Sequence, residues 1–396
     1  MIIDINKSSV WGSLTGIRPA KIAEKLIESG VCKTSAAERL MQEYHVSAER
    51  AKLCADIAEK TLSLKSSLKP NDISLYISIP FCPTRCAYCS FVSNNVEKSF
   101  SLIEPYKNAI LHELRETAKL VKELGLDIIS VYIGGGTPTV LSPSDIGTIM
   151  KEVMSNFDLS NLREYTVEAG RPDTITNEAL QVIKSQGANR ICINPQSMSA
   201  DVLAAIGRKH TSEDVLHAVK LAKGMNFELN MDIIAGLPSD TPDGFSKTLD
   251  SVLCLRPENI TVHTLSQKKG TRIMLEKTAL PAANDVESML TTATKKLLGS
   301  GYLPYYLYRQ KYISGGFENI GWSLSGFDGV YNKLMMDDIG TVFAVGAGGV
   351  TKLILPNGRI ERMFNMKYPK EYILQASKIT DKIEKVKKFI AASFPS

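Results

Sequence analysis

The sequence predicts an α/β fold: strand-helix units whose parallel strands curl into a partial, TIM-like (β/α)6 barrel, with a helical segment before it and an α+β extension after it. Three observations carry this. Short apolar strands and amphipathic helices alternate six times between residues 74 and 264, the pattern of parallel strands joined by crossover helices. Helix-start signals stand where helices are due, in Ser142-Pro143 and Thr211-x-x-Asp214. Residues with chemical capacity recur at the carboxyl ends of the strands, where barrels of this kind place their active sites.

Residues 1–70 read as helical and separate. Pro19 suits a first turn, with Ile22, Leu26 and Ile27 as a stripe and Gly30 as a stop. Ser35-x-x-Glu38 reads as a capping box for a second helix, and a third runs from about Ser47 with Leu53 and Ile57 on one face. A linker is expected over Lys65–Asp72, leaving a core at 71–300 and an extension at 301–396. Core strands are expected at 74–79, 128–133, 163–168, 189–194, 228–233 and 259–264. Helices are expected near 101–124, 142–156, 176–187, 211–224 and 241–254.

With 396 residues, 47 Lys+Arg and 42 Asp+Glu, the chain can bury a large core and carries too mild a charge to point to nucleic acid. No run approaches the apolar length of a membrane span, and Met1–Lys7 has neither a basic leader nor a sufficient apolar stretch for a signal peptide. The seven cysteines imply no disulfide framework, so a reducing cytoplasm is the expected location.

Three of those cysteines, Cys82, Cys86 and Cys89, follow the first strand at C-x-x-x-C-x-x-C spacing. Such thiolates can converge on one face of a 4Fe-4S cube, which normally takes four protein thiolates, so that three leave one iron open. Structural zinc, the competing use, wants four closed ligands, and the next histidine is as far away as His112. Gly134-Gly135-Gly136-Thr137 follows the second strand, where backbone without Cβ atoms can approach a ligand closely. Glu168 ends the third strand, Gln196 follows the fourth, and Asp232 is expected at the end of the fifth.

Cys82-x-x-x-Cys86-x-Tyr88-Cys89, with its aromatic before the third cysteine, resembles the radical S-adenosylmethionine (SAM) enzymes. From about 71 to 350 the chain is similar to the oxygen-independent coproporphyrinogen III dehydrogenase family. The resemblance lies in Tyr76-x-x-Ile79-Pro80-Phe81-Cys82, the GGGTPT loop, Glu168 in YTVEAGRPD, Pro195-Gln196-Ser197, Arg208 in IGRKHT, and Asp232 with Gly236-Leu237-Pro238. It implies a radical SAM barrel with a 4Fe-4S cluster on the three cysteines and SAM on its open iron, where one electron releases a 5′-deoxyadenosyl radical. It further implies SAM contacts from Tyr76, Gly135, Gly136, Thr137, Glu168, Gln196, Arg208 and Asp232, with Asp232 on the ribose hydroxyls, Glu168 near the methionine end and glycine-loop carbonyls on the amino group. Each polar member also reads as an ordinary ion pair or cap, and Tyr76 as core.

The implied reaction is oxidative decarboxylation of coproporphyrinogen III to protoporphyrinogen IX, with electrons from a donor such as flavodoxin or ferredoxin. Two departures from the family pattern are Phe91 in place of a fourth cysteine and Ser78 in place of a histidine. Relatives with Phe at the first of these include haem-binding chaperones, so haem itself is the alternative tetrapyrrole, with another radical SAM reaction on a tetrapyrrole as a third option. Trp11–Pro19 and Tyr308–Ile320 most resemble the HemZ-like branch. The aromatics from Tyr302 to Trp322, interleaved with Arg309 and Lys311, suit either a macrocycle edged with carboxylates or a core seam. Gly346–Gly349 is expected to return to the barrel over the adenine, and the last helix, 370–390, to present a solvated lysine face.

Overall fold

The computed structural model describes residues 9–16, 18–91, 94–310, 312–355 and 358–393. Ile17 and Lys311, which the sequence reading used, lie outside them, as does Met1–Lys7. The chain groups into two compact units, Lys69–Asp232 with Asp338–Ser396, and Met1–Leu68 with Ile233–Asp337. No helix among the described residues is long and apolar enough to cross a membrane.

The first unit carries β1 (Asp72–Ile79), β2 (Asp127–Gly135), β3 (Glu164–Glu168), β4 (Arg190–Cys192), β5 (Glu228–Ala235, its first five residues here), β6 (Thr341–Val345), β7 (Val350–Ile354) and β8 (Ile360–Phe364). Their order is β8-β7-β6-β1-β2-β3-β4-β5. From β6 to β5 neighbours are parallel, with Leu75 level with both Phe343 and Val131, Val131 with Tyr165, and Cys192 with Asn230. β6-β7 and β7-β8 are antiparallel. Both faces of the central strands are buried, with Leu75, Ile77, Val131 and Ile133 on one and Ser74, Ser78 and Tyr132 on the other, as a sheet covered on both sides requires. Those helices are Ile103–Glu123, Pro143–Asn156, Asn177–Ser185 and Ser212–Gly224. Ser142 caps the second through Asp145 N, and Thr211 and Asp214 form the expected capping box on the fourth.

In the second unit, helices Ala20–Glu28, Lys33–Tyr44 and Ala48–Ser67 precede Pro242–Leu255 and Ala283–Gly299. Asn259–Thr264 pairs antiparallel with Glu318–Ser323, which pairs antiparallel with Leu303–Arg309. Several expectations change here. Ser35 is no cap: the helix already begins at Lys33, after Cys32, so Ser35 sits in its first turn. The first helix buries Ala20, Ala23 and Glu24, while Ile22, Leu26 and Ile27 are half-buried. The linker shrinks because the third helix continues through Ser67. Tyr302, Tyr305, Tyr306, Phe317 and Trp322 are buried, with Tyr302 OH donating to Pro257 O at 2.5 Å. That part of the aromatic run is a core seam; Tyr308 is half-buried and Tyr312 exposed.

In the first unit the C-terminal segment is broken into Pro369–Leu374, a short turn of 3-10 helix and Ile379–Ser393. Its lysine face is not uniformly solvated, because Lys382 Nζ reaches the fully buried Glu113 at 3.0 Å. Glu113 also accepts from Gly346 N at 2.8 Å, Tyr372 OH at 2.6 Å and Asn365 Nδ2 at 3.0 Å. This carboxylate pins the Gly346–Gly349 turn beside β1, where Ser78 Oγ donates to Ala347 O at 2.7 Å.

Candidate functional site

The site is assembled at the carboxyl ends of β1 to β4 with β5 beside them. Cys82, Cys86 and Cys89 lie on the loop that leaves β1. Backbone bonds tie it down at both ends: Asn94 N donates to Pro80 O and Val96 N to Cys82 O, each at 2.9 Å, and Ala87 N donates to Ile206 O at 2.9 Å. The sulfurs have donors of their own. Thr137 Oγ1 stands 3.5 Å from Cys82 Sγ, and Arg171 Nη1 stands 3.9 Å from Cys86 Sγ. Burial pushes the Cys89 thiol up to about 11, and the neighbouring Cys86 and Cys82 add to this. Among the described residues no three His, Cys, Asp or Glu side chains converge tightly enough to grip a single ion. Tetrahedral zinc needs such convergence, whereas a cube spreads its thiolates over separate irons.

The glycine loop meets β1. Gly136 N donates to Ile79 O at 2.8 Å and Thr137 N to Phe81 O at 2.7 Å. A Cβ on Gly136 would fall 2.4 Å from Phe81 O, and one on Gly135, whose φ is +108°, 3.0 Å from Ser78 Oγ. One on Gly134 would lie 2.9 Å from Tyr132 and 3.0 Å from Glu168. The protein's own backbone and side chains therefore demand these glycines, a different reason from the open approach to a ligand that the sequence suggested.

Two charged groupings flank the loop. On one side Glu168 Oε1 accepts from Tyr132 OH at 2.5 Å, and Tyr132 stacks on the half-buried Tyr76 with ring centres 6.2 Å apart. Burial, then the charge of Glu168, pushes the Tyr76 phenol up. Asp232 is half-buried and lies within β5, which runs on to Ala235; its Oδ1 accepts from Asn230 Nδ2 at 2.8 Å, and its carbonyl from Gln196 N at 2.9 Å. On the other side Arg208 Nη1 donates to Asn194 O at 2.7 Å and Gly170 O at 3.2 Å, and Nη2 to Tyr88 OH at 3.2 Å. Gly207, at φ +71°, ends the helix Ala200–Ala205 and aims Arg208 inward.

The residues present fit a polar ligand. Among the described residues, Asn194 Oδ1, Gln196 Oε1 and Arg208 Nε are buried without a hydrogen-bond partner, and the buried His210 ring has at most the Pro195 carbonyl. Such atoms cost about 1–3 kcal/mol each when left unmade, so four neighbouring side chains carrying them mark a place that a ligand completes. Gln196 also holds φ +67°, an uncommon backbone for a residue with a Cβ and one that clusters at functional sites. Sequence reasoning missed Tyr132, Arg171, Asn194 and His210. Arg171 stood inside a quoted motif, but nothing in its spacing tells a buried arginine from a surface one.

A parallel sheet with three cysteines, a glycine loop and buried cations at its carboxyl edge defines the class, and residues 76–252 match the radical SAM superfamily. The chain belongs to that superfamily, in the branch of oxygen-independent coproporphyrinogen-III oxidase-like proteins. It is 38% identical over 385 residues, 95% of this chain and 76% of the other, to the oxygen-independent coproporphyrinogen-III oxidase-like protein HemZ of Bacillus subtilis (strain 168). It is 29% identical, over 76% of each chain, to the heme chaperone HemW of Haemophilus influenzae. The coproporphyrinogen III oxidase HemN of Escherichia coli, a radical SAM enzyme, shares the fold at TM-score 0.63 and 22% identity, over 80% of this chain and 72% of that one. Proteins of this family use a 4Fe-4S cluster and SAM.

Proposed function

We propose that this chain holds the cluster on Cys82, Cys86 and Cys89, binds SAM against the rim just described, and converts coproporphyrinogen III to protoporphyrinogen IX in anaerobic haem biosynthesis. The observation that carries the reading is the similarity over 95% of the chain to a coproporphyrinogen-III oxidase-like protein. Bound there, cluster and SAM supply a 5′-deoxyadenosyl radical, the hydrogen-abstracting agent for the propionate side chains. The chain's own residues bind and orient. Arg208 Nε is a donor, and Gln196 Oε1 and Asn194 Oδ1 are acceptors, awaiting the polar groups of SAM. Asp232 is the carboxylate for the ribose hydroxyls, and Glu168, steadied by Tyr132, serves the methionine end. Tyr76, Gly135, Gly136 and Thr137 close the floor. A donor such as flavodoxin or ferredoxin supplies the electron.

The test is reconstitution with iron and sulfide without oxygen: the protein is expected to turn brown and to cleave SAM when reduced, and Cys86→Ala to lose both properties. A variant that keeps them removes the cluster assignment.

A second reading, delivery of haem rather than its synthesis, is favoured by the similarity to a heme chaperone and by Phe91, which stands 67% exposed where a fourth cysteine would be. Incubation without oxygen with coproporphyrinogen III and SAM, and separately with haem, separates the two. Protoporphyrinogen as product supports the enzyme; stable haem binding with no product supports the carrier.

A further inference from the structure

Arg171 has no part in the reading above. It is 2% exposed, and a buried guanidinium needs compensation. Local sequence fixes its direction. Gly170, two residues past the end of β3, takes φ +53°, its N–H donating to Cys192 O at 2.9 Å, and Pro172 opens a short 3-10 turn. The chain thereby doubles back, and Asp173 grips the fork of Arg171 from outside, Nε to Oδ1 at 2.9 Å and Nη2 to Oδ2 at 2.8 Å. Against burial, which pushes it up, this grip holds the Asp173 carboxyl below its usual range. The remaining nitrogen, Nη1, points into the cysteine loop, 2.9 Å from Thr84 Oγ1 and 3.9 Å from Cys86 Sγ.

Arg208 approaches Cys86 and Tyr88 as well, and the two guanidinium groups repel each other. Among the described residues, Asp173 pairs with one of these cations and no carboxylate pairs with the other. The cysteine loop is therefore held in an excess of positive charge. A cube in its oxidised state on three thiolates has one net negative charge, and one-electron reduction adds a second. Fixed positive charge and N–H donors at a cluster sulfur favour the more negative state, so they raise the reduction potential.

We propose that Arg171, clamped by Asp173, is a positioning residue that sets the potential of the cluster through Cys86, easing its reduction by the external donor. The proposal rests on Cys86 being a cluster ligand.

The experiment is EPR-monitored potentiometry of the reconstituted full chain under dithionite without oxygen, with iron content measured in parallel. Arg171→Gln is expected to keep the cluster and to disfavour its reduction about tenfold, a fall of ~59 mV for one electron. Arg171→Lys, which keeps the charge, should stay within about twofold of wild type on the same scale. An unchanged potential in Arg171→Gln overturns the proposal. If that variant assembles no cluster, Asp173→Asn reads the same charge balance from the other side, since it removes the carboxylate that offsets Arg171 and leaves the guanidinium in place. A raised potential there supports the role, and an unchanged or lowered one overturns it. A wild-type chain that takes up iron with no EPR-active cluster would instead overturn the assignment of Cys82, Cys86 and Cys89.

Discussion

Two buried polar regions are built on opposite plans. Around Lys333, which is 1% exposed, each of the three ammonium donors finds a partner: Thr61 Oγ1 at 2.8 Å, Tyr305 O at 2.6 Å and Asp337 Oδ2 at 3.0 Å. Around Gln196, also buried, four side chains keep polar atoms with no partner among the described residues. A satisfied cage makes its return in folding stability; an unsatisfied rim lowers the stability of the empty chain and recovers it when a ligand arrives. The same residue chemistry thus separates a structural network from a binding site by whether its bonds close.

The sharpest way to break the comparison is at the closed end. Lys333→Met leaves Asp337, itself 5% exposed, without its cation, and loss of one partner of a buried pair costs about 3–5 kcal/mol. Denaturant unfolding should show that loss while the folded fraction retains its iron. A variant of unchanged stability would show that the cage contributes nothing.

The open end has a pH signature of slightly smaller size. His210 is 3% exposed, and burial, then the charge of Arg208, lowers its pKa to about 4, with Arg171 adding to this and Asp173 opposing. Below about pH 6.5 the unfolded chain takes up a proton that the folded chain refuses until about pH 4. Stability is therefore fully present above that window and falls as pH falls through it, by roughly 3 kcal/mol in all. His210→Gln should flatten the profile there; one as steep as wild type would mean that another group carries the acid sensitivity.

Gln196→Met sharpens the contrast further by replacing an orphaned amide with an apolar chain of similar length. The empty variant should be as stable as wild type or slightly more so, since removing an unsatisfied group is close to neutral. What should shrink is the stabilisation by SAM, about 2.7 kcal/mol at a hundredfold excess over Kd for a competent site, since one hydrogen bond to a charged group is worth about 1.5–3 kcal/mol. If SAM raises the melting temperature of both proteins equally, Gln196 does not touch it.

This difference between closed and open networks is what the sequence could not show. Periodicity and caps made the elements legible: β1, β2 and the helix Ser212–Gly224 lie within a few residues of expectation because apolar runs and the Thr211–Asp214 box are local signals. The same local grammar misread Ser35, because Ser-x-x-Glu looks alike at a cap and inside a first turn. It identified Cys82, Cys86 and Cys89 by spacing and Glu168, Gln196, Arg208 and Asp232 by resemblance, and the structure brings them to one edge of one sheet. It could not give the reason for Gly136, which is a carbonyl 55 residues back in the chain, at Phe81. Nor could it single out Arg171, whose direction is set by Gly170, Pro172 and Asp173 acting together.

Thr137 gives the smallest effect because it is a closed contact inside the open region. Its N–H is already taken by Phe81 O, so the loop keeps its shape without the hydroxyl, and Thr137→Val removes only the donor 3.5 Å from Cys82 Sγ. One such bond is worth about 1 kcal/mol, roughly a fivefold change in an equilibrium. If Cys82 holds iron, cluster loss to a chelator should be about fivefold more favourable in Thr137→Val, with unfolding of the empty chain changed far less. The opposite pattern, a lost cluster preference of zero and a clear drop in empty-chain stability, would move Thr137 from the site to the scaffold.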